Sequence, residues 1–164
     1  MTYDIRILQS SDLDAVLQFE RARLKASATH EESNASEMAS FEIDMLEWHA
    51  PWRKEALEHY LPQGWSFSLW SESGASGQLQ AYFLAQPQVF TRGLTQTLWM
   101  EQLSATTQAQ SDQLLEIAYK LCREKHFQKL IIRPAATDEG LSTGLPLKLE
   151  KHQDNLFEIK TSRI

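Results

Sequence analysis

Cysteine and long apolar segments are almost absent from this chain of 164 residues. Cys122 is the only cysteine, so no disulfide can form within the chain. Leucine and alanine side chains surround it at helical spacing, which predicts a buried thiol in preference to a nucleophile. No apolar run approaches the ~18 residues that a membrane-spanning helix needs. The charged residues Asp4 and Arg6 argue against a secretory signal, so we expect a cytoplasmic protein without a membrane partner.

Basic residues are outnumbered, with 16 Lys and Arg against 22 Asp and Glu and a net charge of −6. A nucleic-acid partner needs a basic face for its phosphates, so none is expected. The acidic balance favours cationic or amine ligands, although it equally serves solubility. With 42% apolar residues, the chain can bury one core, and we predict a single domain over residues 1–164. The composition leaves open whether this domain is a monomer or a homodimer.

Common catalytic and metal-binding motifs are also missing from the sequence. The five histidines are scattered, without a His-x-x-x-His pair or a neighbouring cysteine, so no metal site is predicted. Neither a Gly-x-Ser-x-Gly nucleophile turn nor a Gly-Lys-Ser/Thr phosphate loop occurs. Function must therefore be inferred from the order of the secondary-structure elements and from the residues at their junctions.

The stretch from Thr95 to Arg133 organises the rest of the sequence. Thr95–Ser104 is rich in β-branched and aromatic side chains and predicts a strand, followed by a polar loop at Thr106–Gln110. A helix is predicted at Ser111–His126 and a second strand at Lys129–Arg133. Such a unit normally lays two parallel strands side by side. A ligand is expected where the first strand ends and the helix begins.

The remaining sequence predicts three helices before this unit and strands on either side of it. In chain order these elements are a strand at Tyr3–Leu8, a helix at Asp12–Lys25, a loop at Ala26–Glu37, helical spacing of Phe41, Met45 and Trp48, a helix from Pro51 to Leu61, a hairpin of Trp65–Glu72 with Gln78–Ala85, and a closing hairpin of Leu145–Leu149 with Phe157–Thr161. The order β–α–α–α–β–β–β–α–β–β–β predicts an α+β fold with a mixed sheet of six or seven strands.

This order of elements, from Tyr3 to Thr161, resembles that of the GNAT superfamily, the GCN5-related N-acetyltransferases. The resemblance implies a GNAT-like mixed β-sheet flanked by helices, with acetyl-CoA as the co-substrate. The acceptor would be the amine of a small molecule or of a peptide. In this family the strand before the central helix pairs through its backbone with the pantetheine arm, and the matching residues here are Leu103, Ser104 and Ala105.

The loop after that strand departs from the family signature, which is Gln/Arg-x-x-Gly-x-Gly/Ala. Small residues there let backbone N–H groups reach the pyrophosphate. No glycine occurs in this loop, and by resemblance Gln108, Gln110 and Ser111 take the cofactor-binding positions. Asp112 falls in the first turn of the predicted helix, where a carboxylate would repel a phosphate. We therefore predict weak CoA binding, which removal of the Asp112 charge should strengthen.

Two other interpretations of the sequence stay open. The missing glycines and Asp112 favour a GNAT-fold protein without catalysis, which would act as a binding or regulatory module. An unrelated α+β fold with the same element order is the third interpretation. Element order cannot decide between an enzyme and a binding module, because function depends on the site and not on the fold.

Glu101 is the candidate general base, because some GNAT proteins use a glutamate on this strand as the base. Regular alternation would place it on one strand face with Trp99 and Leu103, where partial burial would raise the pKa of its carboxyl group. It would take a proton from the acceptor ammonium, while the backbone N–H of Ala105 polarises the thioester carbonyl. The alternative is an ordinary polar residue at the end of a strand.

A Trp-His-Ala-Pro-Trp segment supplies candidate acceptor contacts, because in this family the region between the first two strands often lines the acceptor pocket. Trp48 and Trp52 are the candidate substrate-binding residues, since aromatic rings suit a cationic or aromatic acceptor. His49 is the second candidate catalytic residue. The alternative places both tryptophans in the core and His49 in solvent. Spacing does not select among three further candidate acids, Tyr82, Tyr119 and His126.

Overall fold

The computed structural model describes residues 2–28, 36–71, 77–90, 95–133, 141–152 and 155–162. In chain order the elements are β1 (Tyr3–Ile7), α1 (Leu13–Ala28), α2 (Ser36–His49), α3 (Lys54–Tyr60), β2 (Phe67–Ser71), β3 (Leu79–Phe90), β4 (Thr95–Ala105), α4 (Gln108–Glu124), β5 (Lys129–Ile132), β6 (Glu150–Lys151) and β7 (Phe157–Lys160). Single turns of 3₁₀ helix lie at Ser10–Asp12 and Leu61–Gln63. The predicted element order and the α+β class are confirmed.

The seven strands form one mixed sheet in the order β1-β2-β3-β4-β5-β7-β6. β4 and β5 run parallel, with Thr97 opposite Lys129 and Met100 opposite Ile132, and α4 is the crossover between them. The other neighbouring strands pair antiparallel. The predicted parallel pair is confirmed, and it places the carboxyl end of β4 beside the start of α4.

The larger core lies between the sheet and α4. Leu114, Leu115, Ala118 and Cys122 form the buried face of this helix, as predicted. Full burial of one leucine contributes about 1.5–3 kcal/mol, so this face holds α4 firmly against the strands. Burial raises the pKa of Cys122 to about 12. The thiol therefore stays protonated at neutral pH, in agreement with a packing role.

A second core lies on the opposite face of the sheet, under α1 and α3. Val16 of α1 and Leu57 of α3 are fully buried there against Tyr82 and Leu84 of β3. The sheet is therefore covered on both faces near β3, and the ends of β4 and β5 lie beside this double-sided core. None of the helices in the described ranges is long and apolar enough to cross a membrane.

Helix α4 begins three residues earlier than predicted, at Gln108. Thr107 is the N-cap and accepts a hydrogen bond from the backbone N–H of Gln110 at 3.2 Å, while the Gln110 side chain reaches back to the N-cap backbone. This Thr-x-x-Gln capping box was overlooked in the sequence. As a consequence, Asp112 lies beyond the first turn, and the prediction that it occupies the first turn is wrong.

The closing hairpin is shorter than predicted. Leu145–Leu149 is not a strand, because the N–H of Leu147 donates to the carbonyl of Leu145 at 2.8 Å, a tight turn that breaks the ladder. The alternating leucines instead pack against the core under α4. Most of the predicted loops at 26–37 and 135–144 lie outside the described residues, although α1 extends to Ala28.

Candidate functional site

One edge of β4 is open at its carboxyl end. The parallel pairing with β5 ends at Met100, whose carbonyl accepts a hydrogen bond from the N–H of Arg133 at 2.9 Å. β5 stops at Ile132, whereas β4 continues to Ala105. In the described ranges, residues 102–105 of β4 have a strand partner on the β3 side, and residues 101–105 have none on the β5 side. Among the described residues the β5 side of this stretch is therefore unpaired, and we call this opening between the two parallel strands the gap.

A β-bulge lies at Glu101, where this gap begins. The register with β3 passes directly from Met100 to Gln102, which leaves Glu101 unpaired. The bulge shifts side-chain alternation by one position, so Leu103 packs in the core under α4. Leu103 does not share a face with Glu101, contrary to the prediction, which assumed unbroken alternation. Bulges of this kind change the orientation of the strand beyond them, and here the change applies to the residues after Glu101.

The backbone of β4 beyond the bulge presents hydrogen-bonding groups to the gap. Ala85 of β3 donates its N–H to Ser66, on the side away from β4. Because backbone direction alternates, residues 83 and 81 also turn away from β4. Their partners, Leu103 and Ala105, then turn their N–H and C=O groups away from β3 and into the gap. Ser104 turns its backbone toward β3, so two of the three predicted residues face the gap.

The side chain of Ser104 ties helix α1 to β4. Its hydroxyl accepts a hydrogen bond from Arg23, whose guanidinium lies 3.9 Å from the Glu20 carboxylate. Glu20 in turn accepts a hydrogen bond from the Tyr82 hydroxyl at 2.6 Å. Burial, followed by the neighbouring charge of Glu20, raises the pKa of Tyr82 well above its usual value. Tyr82 is fully buried, so it braces α1 and does not reach the gap.

Two donors hold the Glu101 carboxylate at the start of the gap. The indole Nε1 of Trp99 donates to one oxygen at 2.6 Å, and a guanidinium nitrogen of Arg133 donates to the other at 2.7 Å. The Glu101 side chain is 16% exposed. A carboxylate has roughly four acceptor positions, so about two remain for a ligand or a water molecule.

Tyr60, at the end of α3, lies within electrostatic range of Glu101 and was missed in the sequence. The residue is only 7% exposed, and its hydroxyl makes no hydrogen bond among the described residues, although the oxygen is not sealed from solvent. Burial and then the charge of Glu101 raise the pKa of Tyr60 to about 12, against the opposing charges of Arg133 and Arg53. The phenol therefore keeps its proton at neutral pH and can donate a hydrogen bond. In the sequence it had been assigned only to the apolar face of a helix.

The two tryptophans of the Trp-His-Ala-Pro-Trp segment do not line the same pocket. Trp52 is buried in the core under α1 and α3, whereas Trp48 is 77% exposed. Trp48 lines a cavity of about 320 Å³ together with five charged residues, Asp44, Glu47, Arg53, Lys54 and Glu55. His49 is exposed at the end of α2, and within the described ranges no hydrogen bond or ion pair links it to Glu101.

The side chain of Gln110 occupies the space at the start of α4. Gln110 is 2% exposed, and its carbonyl oxygen accepts hydrogen bonds from the backbone N–H groups of Thr106 and Thr107 at 2.9 and 3.2 Å. The same oxygen accepts the Thr106 hydroxyl at 2.7 Å, and the Gln110 amide donates to the Tyr3 hydroxyl at 3.0 Å. Ser111 is half-buried in the first turn. The loop N–H groups are thus used within the protein.

Asp112 fastens the segment 142–144 to α4. Its carboxylate accepts hydrogen bonds from the Thr143 hydroxyl at 2.9 Å, the Gly144 N–H at 3.1 Å and the Gln108 amide at 3.0 Å. Burial raises the pKa of Asp112, but these hydrogen bonds outweigh it and the pKa lies below 3.8. A Cβ at position 144 would lie 3.0 Å from the carboxylate, so a larger residue there would crowd Asp112, which glycine does not. The Asp112 carboxylate is therefore occupied by this segment, a role that the sequence analysis did not foresee.

In the part of the chain that the structure describes, no three His, Cys, Asp or Glu side chains lie together so as to hold a metal ion. The site consists instead of a backbone edge, one carboxylate, one phenol and one guanidinium. Such a set can bind an extended ligand with amide groups along the β4 edge and can accept one proton at its inner end.

No protein-family model matches the sequence, and a comparison with curated proteins gives no match. Solved structures resemble it over nearly the whole chain. The PaiA N-acetyltransferase from Thermoplasma acidophilum, in complex with coenzyme A, is 15% identical, with 99% of both chains covered and a TM-score of 0.59. The NatC complex bound to Gag peptide and CoA is 10% identical, with 98% of this chain and 96% of that chain covered and a TM-score of 0.58.

An agmatine N-acetyltransferase is 12% identical, with 98% of this chain and 99% of that chain covered and a TM-score of 0.57. These likenesses are structural, since the identities are low. They agree with the α+β class and the seven-stranded mixed sheet. The interpretation of an unrelated α+β fold is therefore excluded, and the chain has the fold of the GCN5-related N-acetyltransferases.

Proposed function

We propose that this protein is an N-acetyltransferase that moves an acetyl group from acetyl-CoA to the amine of a small molecule or a peptide. The observation that carries the proposal is the open β4 edge with Glu101 at its inner end. Among proteins of this fold, the one from Thermoplasma acidophilum was solved with coenzyme A, one is named for agmatine, and one was solved with a peptide.

The donor would lie along the open edge of β4. Its pantetheine arm carries two amide groups, and the backbone groups of Leu103 and Ala105 can pair with amides as a neighbouring strand would. A strand rises about 3.3 Å per residue, which places Ala105 about 13 Å from Glu101 and Leu103 about 7 Å from it. The N–H of Leu103, not that of Ala105, is therefore the better donor to the thioester carbonyl beside Glu101.

In the proposed reaction Glu101 accepts the proton that the acceptor ammonium gives up, directly or through one water molecule. The amine nitrogen then forms a bond to the thioester carbon, the carbon–sulfur bond breaks, and the second proton of that nitrogen leaves to solvent as the amide forms. Tyr60, with a pKa of about 12, is a poor acid toward a thiolate whose conjugate acid has a pKa near ~8.5. Tyr60 therefore serves as a hydrogen-bond donor beside Glu101, and solvent supplies the proton to the leaving thiolate.

The cavity beside Trp48 is the proposed route for the acceptor. Arg53 lines this cavity, and its charge lowers the pKa of Tyr60 while the charge of Glu101 raises it, so the cavity wall and Glu101 both lie within electrostatic range of Tyr60. Asp44 and Glu55 line it beside the indole ring, and carboxylates next to an aromatic face favour a cationic group. We infer that a positively charged acceptor enters the site through this cavity, past Trp48 and the two carboxylates.

A binding module without catalysis is the second candidate function, and the closed start of α4 favours it. The two candidates are separated by a turnover assay that follows thiol release from acetyl-CoA over a panel of small amines and peptides. Glu101→Gln should lower kcat by roughly 10²–10⁴ with little change in donor affinity, because it keeps the shape and removes the basicity.

The matched control is Glu116→Gln, an exposed carboxylate on the surface of α4 that pairs only with Lys120. It should keep the wild-type rate. Equal rates for Glu101→Gln and the wild type would place the base elsewhere, with His49 as the next candidate. No turnover over the whole panel, together with thermal stabilisation by CoA, would establish the binding module instead.

A further inference from the structure

We propose, on the basis of the acetyl-transfer function above, that the acyl donor is recognised through its pantetheine arm and not through a pyrophosphate. The ligand class is thus an acyl thioester of pantetheine, of which acetyl-CoA is one member. The start of α4, where a donor's phosphates would otherwise be held, is already filled by the Gln110 side chain.

The N–H groups of Thr106 and Thr107, in the loop before α4, already have a hydrogen-bond acceptor within the protein. A phosphate at a helix start binds by accepting hydrogen bonds from such groups. Those of Thr106 and Thr107 both end on the Gln110 carbonyl, and the buried Gln110 amide is itself held by Tyr3. A pyrophosphate would have to displace this side chain, which would leave a buried amide without partners.

The charged residues around the start of α4 also disfavour a bound pyrophosphate. From Thr106 to Tyr119 the sequence has the carboxylates of Asp112 and Glu116 and no basic residue. The segment 142–144, which Asp112 holds against α4, has no charged side chain. Arg23, on the other face of the sheet, is already bonded to Ser104 and faces Glu20. No cation among these described residues is placed to pair with two phosphates at the α4 start.

The backbone groups that stay available to a donor lie on β4. Leu103 and Ala105 turn backbone groups into the gap, and these groups match the amides of a pantetheine arm without using its nucleotide end. The recognition surface therefore ends where the arm would leave the strand, just before Thr106. A donor that lacks the nucleotide therefore keeps nearly all of the contacts that bind it to the protein.

The test compares kcat/KM for acetyl-CoA and for acetyl-pantetheine, which lacks the phosphates and the adenosine, with one acceptor amine and the wild-type protein. We expect the two values to agree within about tenfold, because each charged hydrogen bond to a phosphate would otherwise contribute roughly a factor of ten or more. A preference for acetyl-CoA of more than tenfold would overturn the proposal while leaving the acetyl-transfer function intact.

A variant makes the argument specific to Gln110. Gln110→Ala frees the N–H groups of Thr106 and Thr107, so it should raise the ratio of kcat/KM for acetyl-CoA to kcat/KM for acetyl-pantetheine at least tenfold over the wild-type ratio. The control is Gln113→Ala, one turn further along α4, where the side chain makes no hydrogen bond among the described residues. An unchanged preference in Gln110→Ala that still folds would contradict the assigned role of this side chain.

The donor comparison needs no variant, so it stands even if Gln110→Ala does not fold. If neither donor turns over with any amine, the acetyl-transfer function fails, and calorimetry with pantetheine and with CoA decides the recognition question. Affinities within tenfold support recognition through the arm. Tighter binding of CoA by more than tenfold, or no binding of pantetheine, contradicts it.

Discussion

Replacement of Asp112 by asparagine tests what this carboxylate does. Oδ1 accepts hydrogen bonds from Gln108, Thr143 and Gly144, and Oδ2 lies 3.2 Å from the N–H of Gly144. Asparagine keeps one oxygen, turns an amide donor toward the Gly144 N–H and removes the charge. Hydrogen bonds to a charged group are worth about 1.5–3 kcal/mol and neutral ones about 1 kcal/mol. Because the site is partly exposed, we expect a net loss of about 1–2 kcal/mol.

The pH dependence gives the sign of the effect. The pKa of Asp112 is lowered from 3.8 in the folded protein. Its contribution is therefore fully present above pH ~4 and is lost as the pH falls through the lowered value. The difference in unfolding free energy between wild type and Asp112→Asn should be largest near pH 7 and shrink toward pH ~2. Urea unfolding at several pH values measures it, with Glu116→Gln as the control.

The same variant distinguishes two roles for Asp112. If the carboxylate faced the phosphates of a donor, as the sequence analysis expected, Asp112→Asn would tighten CoA binding and the gain would shrink at high salt. The hydrogen bonds to residues 142–144 predict instead no tightening and a loss of stability. Salt-sensitive tightening without a loss of stability would refute the assignment of Asp112 to the 142–144 segment.

Two further predictions concern side chains that the site and the sheet hold. Tyr60→Phe should change the free energy of unfolding by no more than ~0.5 kcal/mol, because the hydroxyl makes no hydrogen bond among the described residues. It should lower kcat/KM for the acceptor amine several-fold. Tyr119→Phe is the control, and equal kinetics for both variants would remove Tyr60 from the site. Burial raises the pKa of Glu158, but hydrogen bonds from Lys129 and His152 outweigh it and lower the pKa below 4.5. Its stabilisation is present above pH ~4.5 and lost as the pH falls through that lowered value, so Glu158→Gln should flatten the acid limb of a stability curve, and an unchanged limb would exclude this contribution.

The proposed chemistry depends on a local irregularity of β4. Without the bulge, Glu101 would stay in register with β3 and regular alternation would continue to the end of the strand. The bulge instead reverses the alternation after Glu101 and so directs the backbone of Leu103 into the gap, while the carboxylate stays next to Trp99 and Arg133. Because of this one extra residue, the proposed proton acceptor, Glu101, and the proposed donor to the carbonyl, the N–H of Leu103, lie close together on β4.

The sequence by itself determined the order of the elements. Period-two alternation and helical spacing depend on neighbouring residues, so they predicted the strand Thr95–Ser104, the helix with Leu114 and Cys122, and the parallel crossover. These features agree with the described structure because each is set by which face of an element is buried. The resemblance to the GNAT fold followed from that order and needed no site residue.

Only the tertiary structure decided how the site residues are used. The bulge at Glu101 depends on pairing with β3, which no local pattern of β4 reveals. The packing of α3 brings Tyr60 within electrostatic range of Glu101, and Asp112 meets Gly144 across 32 positions of sequence. These contacts join residues that are distant in the chain. Their identity depends on the packed arrangement of the strands and helices, whereas periodicity reports only on neighbours.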